Sequence, residues 1–333
     1  MKFKIGKMMK LFGDRANRIT TEEMNVVYNQ VKDKLSTCFS KIQISTSLRS
    51  KSEHGDIDIV VLNDTGLDVT EVLKHKLSVD VIDHSKNGNI YSILYHSKEV
   101  NKNVHIDFLT TSNYEDFIAQ YTYIMYSDFS GVLGVFARRL RFSYGTRGFF
   151  KIYEDVRGQY HYILLTKNLK EGLQMLGYGN LEEYDKIENL DDIVNFIISS
   201  PLFDSGYYKG TGMNSSDRKR VRSGRLSADY IRGQLINLNK RRILEDSDYF
   251  LKKQFSLYYN KLQSDILKIE TNVIPKSKYT GKWLISNFPT VKTGPLVGNI
   301  LKHWFNTYKD ALDDVDEQEL KKVTSDYLKV VTN

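Results

Sequence analysis

The stretch 54-HGDIDIVVL-62, with 104-VHIDFL-109 further on, decides how this chain reads. Both runs are short, apolar and rich in β-branched residues, which predicts strands. Side chains alternate faces along a strand. Asp56 and Asp58 therefore share one face of the first run, and Ile57, Ile59 and Val61 share the other. His105 and Asp107 share a face of the second, backed by Val104, Ile106 and Phe108. If the two strands are neighbours, three carboxylates converge. Such a cluster repels itself and needs a cation, and carboxylate oxygens suit Mg²⁺ or Mn²⁺. Two such ions about 3.5–4 Å apart clamp a transferring phosphoryl group. The plainer alternative is a hairpin at His54-Gly55-Asp56 with solvated acids. Asp58, set inside an apolar run, counts against it.

Upstream, 41-KIQIST-46 predicts a short strand, followed by Ser47, Leu48, Arg49, Ser50 and Lys51. A strand that ends in hydroxyl residues and turns into a helix offers hydroxyls and backbone N–H groups to phosphate. Arg49 and Lys51 would pair with the same oxygens. On these residues the chain resembles the DNA polymerase β-type nucleotidyltransferase superfamily. That family carries a Gly-Ser signature, an Asp-x-Asp pair and a third Asp on a later strand. Here Thr46-Ser47 stands in place of Gly-Ser, Asp56-Ile57-Asp58 matches the pair, and Asp107 matches the third carboxylate. Glycine lets phosphate approach the backbone closely, and Thr46 obstructs that. The resemblance spans residues 40–110.

The resemblance implies an α+β fold, a small nucleotidyltransferase-type mixed sheet with helices. It implies transfer of an NMP from an NTP, ATP among them, to an acceptor hydroxyl with release of pyrophosphate. Asp56, Asp58 and Asp107 would be both catalytic and metal-binding, with Mg²⁺ or Mn²⁺ as cofactor. Thr46, Ser47, Arg49, Lys51 and Gly55 would bind the nucleotide. A later run, 136-FARRLR-141, places Arg138 and Arg139 as further nucleotide contacts, or else as the basic exposed side of a helix.

The 333 residues suffice for two domains with their own cores. Hydrophobic residues at 41% and charged residues at 27% fit a globular protein and exclude a disordered one. No apolar run approaches the length of a membrane span, and the N-terminal MKFKIGKMMKLFG lacks a secretory signal's apolar core. A cytoplasmic protein with no membrane partner is expected. Cys38 is the single cysteine, so no intramolecular disulfide forms, and a small core residue is its expected role. The scattered histidines show no zinc spacing. His54 and His105 flank the acids and are expected to pack or hydrogen-bond rather than ligate.

Thr20 followed by Glu23 forms a capping box before the apolar stripe Met24, Val27, Tyr28, Val31 and Leu35. Gly66 ends the Asp56 strand, Leu67–Leu77 is expected to be helical, and Tyr91–Tyr95 a further strand. Residues 113–144 read as one aromatic-rich helical region, and Phe149–Thr166 as a hairpin turning at Arg157-Gly158. From Thr166 on the period is helical. We therefore expect a catalytic domain over 1–165 and a mainly helical acceptor-binding domain over 166–333. Leu169–Leu176 would be capped by Gly177, the next helix by Asp191 or Asp192, and long patterns cover Phe250–Ile269 and Val315–Val331. In 293-TGPLVGNIL-301 Gly294-Pro295 would turn the chain and Gly298 would allow close helix packing. The segment loosely resembles the Gly-Pro-x-x-Gly helix start in the C-terminal region of bacterial-type tRNA nucleotidyltransferases and poly(A) polymerases, and a structural turn is the plainer reading of TGPLVG. Their Arg-Arg-Asp-x-Thr-x-Asn motif is absent.

Net charge is +7, with a pI near 9.0. Residues 215–242 hold Arg218, Lys219, Arg220, Arg222 and Arg225 among other bases, against only Asp217 and Asp229. As a binding surface they would follow an RNA backbone and release counterions, with Tyr207 and Tyr208 stacking on bases. As an ordinary surface they would be a solvated helix face. RNA, with a tRNA 3′ end first, is the expected acceptor. A small molecule or protein acceptor is a second reading, and a nucleic-acid-binding protein with a degenerate fold is a third.

Overall fold

A computed structural model describes residues 11–77, 80–126, 128–156, 158–209, 226–243, 246–272, 279–291 and 294–331. The chain divides into two units, 1–152 with 162–260, and 153–161 with 261–333. The boundary expected at 165/166 falls inside the first unit. The helices after it pack back on earlier elements: the Tyr184 and Tyr208 hydroxyls donate to the carbonyls of Thr122 and Val132.

In the first unit the capping box forms. Thr20 accepts from the Glu23 amide, and Glu23 accepts in return from the Thr20 N–H. This starts α1 (Thr21–Leu35), and such a cap is worth about 1 kcal/mol. The five stripe residues are buried. They lie over a sheet built from β2 (Lys41–Ile44), β4 (Ile57–Leu62), β5 (Val81–Asn87), β6 (Ile90–Ser97) and β7 (Lys102–Thr111). A two-residue ladder, β1 (Ile19–Thr20) with β3 (Glu53–His54), ties the start of α1 to the approach of β4.

The strand order is β2-β4-β7-β6-β5. Only β4 and β7 run parallel; the other neighbours are antiparallel. The crossover from β4 to β7 carries α2 (Val69–Leu77) and the β5–β6 hairpin. Ile57, Ile59 and Val61 from β4 join Val104, Ile106 and Phe108 from β7 in one core with α1 and α2. On the opposite face Val60 and Leu62 pack under α3 (Tyr114–Ile124) through Phe117. Phe12, Ala16 and Leu94 cluster together as well. The edge strand β5, VIDHSKN, escapes a reading by pattern. An edge strand needs little apolar content, and its exposed Lys86 blunts unwanted pairing.

Residues 113–144 hold two helices and a strand rather than one helix: α3, α4 (Phe129–Arg139) and β8 (Phe142–Gly145). The break is tertiary in origin. The Tyr126 N–H donates to the Thr46 carbonyl, and its ring meets Tyr184 edge-on. The backbone there takes a φ of 59°. β9 (Gly148–Glu154) and β10 (Tyr160–Thr166) complete a sheet of order β10-β9-β8. Gly148 has a φ of 126°, and a Cβ there would lie 2.7 Å from the Thr166 carbonyl oxygen. Gly148→Ala is expected to destabilise the protein by about 2–4 kcal/mol, because strain and clash combine. A urea midpoint unchanged from wild type would contradict this.

Beyond β10 come α5 (Leu169–Met175), α6 (Glu182–Asp185), α7 (Leu190–Ser199), α8 (Leu226–Asn237), α9 (Ser247–Gln254) and α10 (Ser256–Asn272). Gly177 follows α5 with a φ of 91°, as expected of a residue ending a helix. Asn189, not Asp191 or Asp192, caps α7, and Asp192 is the reciprocal partner in its box. The pattern read over Phe250–Ile269 is interrupted at Phe255, whose N–H closes α9 on the Leu251 carbonyl.

In the second unit α11 (Gly281–Asn287), α12 (Gly294–Tyr308) and α13 (Glu317–Val331) enclose a core of Tyr279, Leu284, Val291, Ile300, Trp304, Leu312 and Leu320. Of the turn expected over 293–298, residues 294–298 are the start of α12, and Thr293 lies outside the described residues. Pro295 sits in its first turn, where the fixed φ suits a helix and no N–H is missed. No described helix is long and apolar enough to cross a membrane.

Candidate active site

The two carboxylates read from separate stretches meet. Asp58 on β4 and Asp107 on β7 are direct register partners across the parallel pair. Both face away from the core that buries Ile57, Ile59, Ile106 and Phe108. Asp56 lies just before β4 and is exposed, whereas Asp58 and Asp107 are half-buried. Burial pushes the Asp58 carboxyl up to about 7, and the charges of Asp56 and Asp107 push the same way. His105 and Lys51 oppose them. Asp58 is therefore under the charge of both other acids.

Asp107 is held from two sides. Ser92, its register partner on β6, donates to Oδ1 at 2.5 Å. His105 Nε2 lies 2.9 Å from the same oxygen. Burial pulls the His105 pKa down, but the Asp107 hydrogen bond and the three carboxylate charges outweigh it, and the net shift is upward. The edge of His105 meets the Phe12 ring, with centroids 5.0 Å apart. His105 was expected to pack or hydrogen-bond beside the acids and does both, whereas the Ser92 contact was not legible beforehand, since a serine on a strand carries no signal of its own. As these side chains are placed, no three His, Cys, Asp or Glu groups among the described residues could hold a metal ion.

The loop between β2 and β3 differs from expectation. No helix follows Thr46-Ser47; residues 45–52 are an irregular loop with a turn at Arg49-Ser50, closed by the Lys51 N–H on the Leu48 carbonyl. The physical reason lies in the loop's anchors. Leu48 is buried, Thr46 Oγ1 lies 2.9 Å from the Tyr121 hydroxyl, and the Ser50 N–H donates to the Glu188 carbonyl. The Ser45 N–H donates to the Asp58 carbonyl, so the loop leaves the sheet beside the acids. Ser47 is half-buried. Arg49 is exposed and ion-paired with Glu188, and such a surface pair is worth no more than about 1 kcal/mol. Lys51 is close enough for its charge to act on both Asp58 and His54. A Cβ at Gly55 would meet only Arg18 Nη1, at 3.7 Å, so the site does not need glycine there.

His54 is structural. It is buried, its Nε2 lies 3.1 Å from Thr21 Oγ1, and burial lowers its pKa. Arg138 and Arg139 lie at the end of α4, and Arg139 donates to the Tyr207 carbonyl. That bond turns Arg139 toward the helical layer rather than the β4–β7 edge. Tyr208 is buried and donates to Val132, and Tyr207 stacks on Phe136. Tyr208 fills the helical core and is not presented as a platform for bases, whereas Tyr207 is half-buried with its ring against Phe136. Arg218, Lys219, Arg220, Arg222 and Arg225 lie outside the described residues. The sequence matches no family model and no curated protein.

Proposed function

We propose that this protein is a metal-dependent nucleotidyltransferase whose acids are Asp56, Asp58 and Asp107. The observation that carries the reading is the in-register meeting of Asp58 and Asp107 on adjacent parallel strands, with Asp56 at the mouth. The three side chains, as placed, are not gathered around one ion, but the donors they offer are all oxygen and Asp58 is under the repulsion of the other two. That chemistry suits Mg²⁺ or Mn²⁺. When bound, such ions supply Lewis acidity to the phosphoryl oxygens and lower the pKa of the attacking hydroxyl.

The chain's own groups do the rest. The acceptor oxygen forms a bond to the α-phosphorus of the NTP, the bond to the bridging oxygen breaks, and pyrophosphate leaves. Ser47 and the neighbouring backbone, at the mouth of the β2–β3 loop, hold the β- and γ-phosphates. Arg49 exchanges Glu188 for a phosphate oxygen at small cost, and Lys51 adds positive charge beside the acids. Thr46 serves the loop's anchorage through Tyr121 rather than the phosphate. Arg138 and Arg139 have a weaker claim than Lys51, given the Tyr207 contact. An RNA acceptor, such as a tRNA 3′ end, draws its support from the excess of positive charge over residues 215–242.

The test is incorporation. The protein is incubated with Mg²⁺ or Mn²⁺, each α-³²P-labelled NTP in turn, and total cellular RNA, with Asp56→Ala/Asp58→Ala as control. Label on RNA from the wild type alone is the expected result. Label on protein or on a small molecule would keep the chemistry and move the acceptor. No metal-dependent labelling of anything would remove the enzymatic reading.

A further inference from the structure

Ser92 lies near the centre of the five-stranded sheet, paired with Ser85 on β5 and with Asp107 on β7. Its neighbours Ile93 and Leu94 are fully buried, and Ser92 itself is 7% exposed. A hydroxyl in that position is costly unless it is bonded. It is bonded, donating to Oδ1 of Asp107, a charge-assisted contact when the carboxylate is ionised. His105 approaches the same oxygen at 2.9 Å. Among the described residues Oδ2 of Asp107 has no hydrogen-bond partner. The two oxygens of one carboxylate are thus made unequal. Oδ1 is tied to β6 and to His105, and Oδ2 is the oxygen left unbonded on a residue whose register partner on the other side is Asp58.

We propose that Ser92 is a positioning residue that makes Asp107 a one-oxygen ligand, with Oδ2 held toward a divalent cation shared with Asp58. The proposal rests on the metal-dependent reading above for the identity of the ligand. Its physical content is orientational. A carboxylate free to rotate about χ2 offers either oxygen, or both to one ion, whereas one pinned through Oδ1 offers a single direction. Groups that orient a ligating carboxylate in this way typically change metal affinity about 10–100-fold when removed. No step of the transfer reaction as proposed passes through Ser92, whose hydroxyl proton is engaged by Asp107.

The test is binding of Mn²⁺ alone to the full chain, read by electron paramagnetic resonance of the free ion, without nucleotide. Wild type, Ser92→Ala, Ser92→Thr and Asp107→Asn are compared, and circular dichroism checks that each is folded. The expected result is loss of the site in Asp107→Asn, about tenfold weaker binding in Ser92→Ala, and affinity within about threefold of wild type in Ser92→Thr, which restores the hydroxyl. Ser92→Ala binding as tightly as wild type while Asp107→Asn does not bind would overturn the positioning role and leave the metal site standing. Wild type failing to bind, or Asp107→Asn binding equally well, would overturn both.

Discussion

The Asp58→Asn protein is expected to outlast the wild type in thermal unfolding at pH 8 when both are stripped of metal, and to transfer no nucleotide when metal is supplied. The two halves of this result have one cause. Asp58 is half-buried between Asp56 and Asp107, and its pKa rises from 3.8 to about 7. A carboxyl whose pKa is higher in the folded state holds its proton longer there than in the unfolded chain. As pH rises through the interval from 3.8 to about 7, the folded state loses ground. The penalty is absent below that interval and complete above it. After allowance for partial solvent access, it is on the order of 2 kcal/mol at pH 8. Asparagine keeps the shape and carries no charge, so its advantage should grow from pH 4.5 to pH 8 in EDTA. A difference in melting temperature that stays flat with pH would show that Asp58 is not under this repulsion. Loss of transfer follows separately, because a neutral amide is a poor ligand for a hard cation. Retained transfer would remove Asp58 from the reaction.

The second large effect belongs to the other unit. Trp304 is fully buried, its indole N–H donates to Thr324 Oγ1 at 2.8 Å, and Trp283 meets its face edge-on. Trp304→Ala empties the largest side chain from this core and leaves Thr324 short of a donor. The expected cost is about 3–5 kcal/mol. The readout is convenient, because the chain has two tryptophans and both lie in this unit. In the variant, Trp283 fluorescence alone reports its unfolding in urea. The midpoint should fall well below wild type, while Trp304→Phe, which keeps most of the apolar bulk, should fall less. Mn²⁺ binding at the β4–β7 edge should persist under native conditions. A fluorescence midpoint that does not move would show the core to be more plastic than its packing indicates.

The parts of this molecule legible in its sequence are those where one local rule suffices. Thr20 and Glu23 sit three apart, which is all a capping box needs, and α1 begins there. Asp58 and Asp107 each interrupt an apolar alternation, and alternation alone sets the face they occupy. What the sequence hides depends on distant partners. The β2–β3 loop could have opened a helix, but Leu48, Tyr121 and Glu188 hold it as an irregular loop, and two of those three are far away in the chain. The break after α3 depends on Tyr126 reaching Thr46, and Phe255 ends α9 at a site with no glycine or proline to announce it. Ser92 was invisible for the same reason, since its meaning comes entirely from the register of β6 on β7.

The parallel pairing of β4 with β7 has a consequence for how the chain folds. β5, β6 and β7 join their neighbours through short hairpins and can zip locally within microseconds. β4 must find β7 across a connection from residue 58 to residue 107, a closure that costs about 3 kcal/mol in chain entropy. It must do so while two like charges approach each other. The last step of sheet assembly is therefore also the step that builds the acidic pair. Acid, which neutralises the carboxylates, and divalent cations, which bridge them, should both speed refolding, even though neither is needed to hold the hydrophobic face together. A nascent chain would then complete its sheet fastest where divalent cations are already at hand.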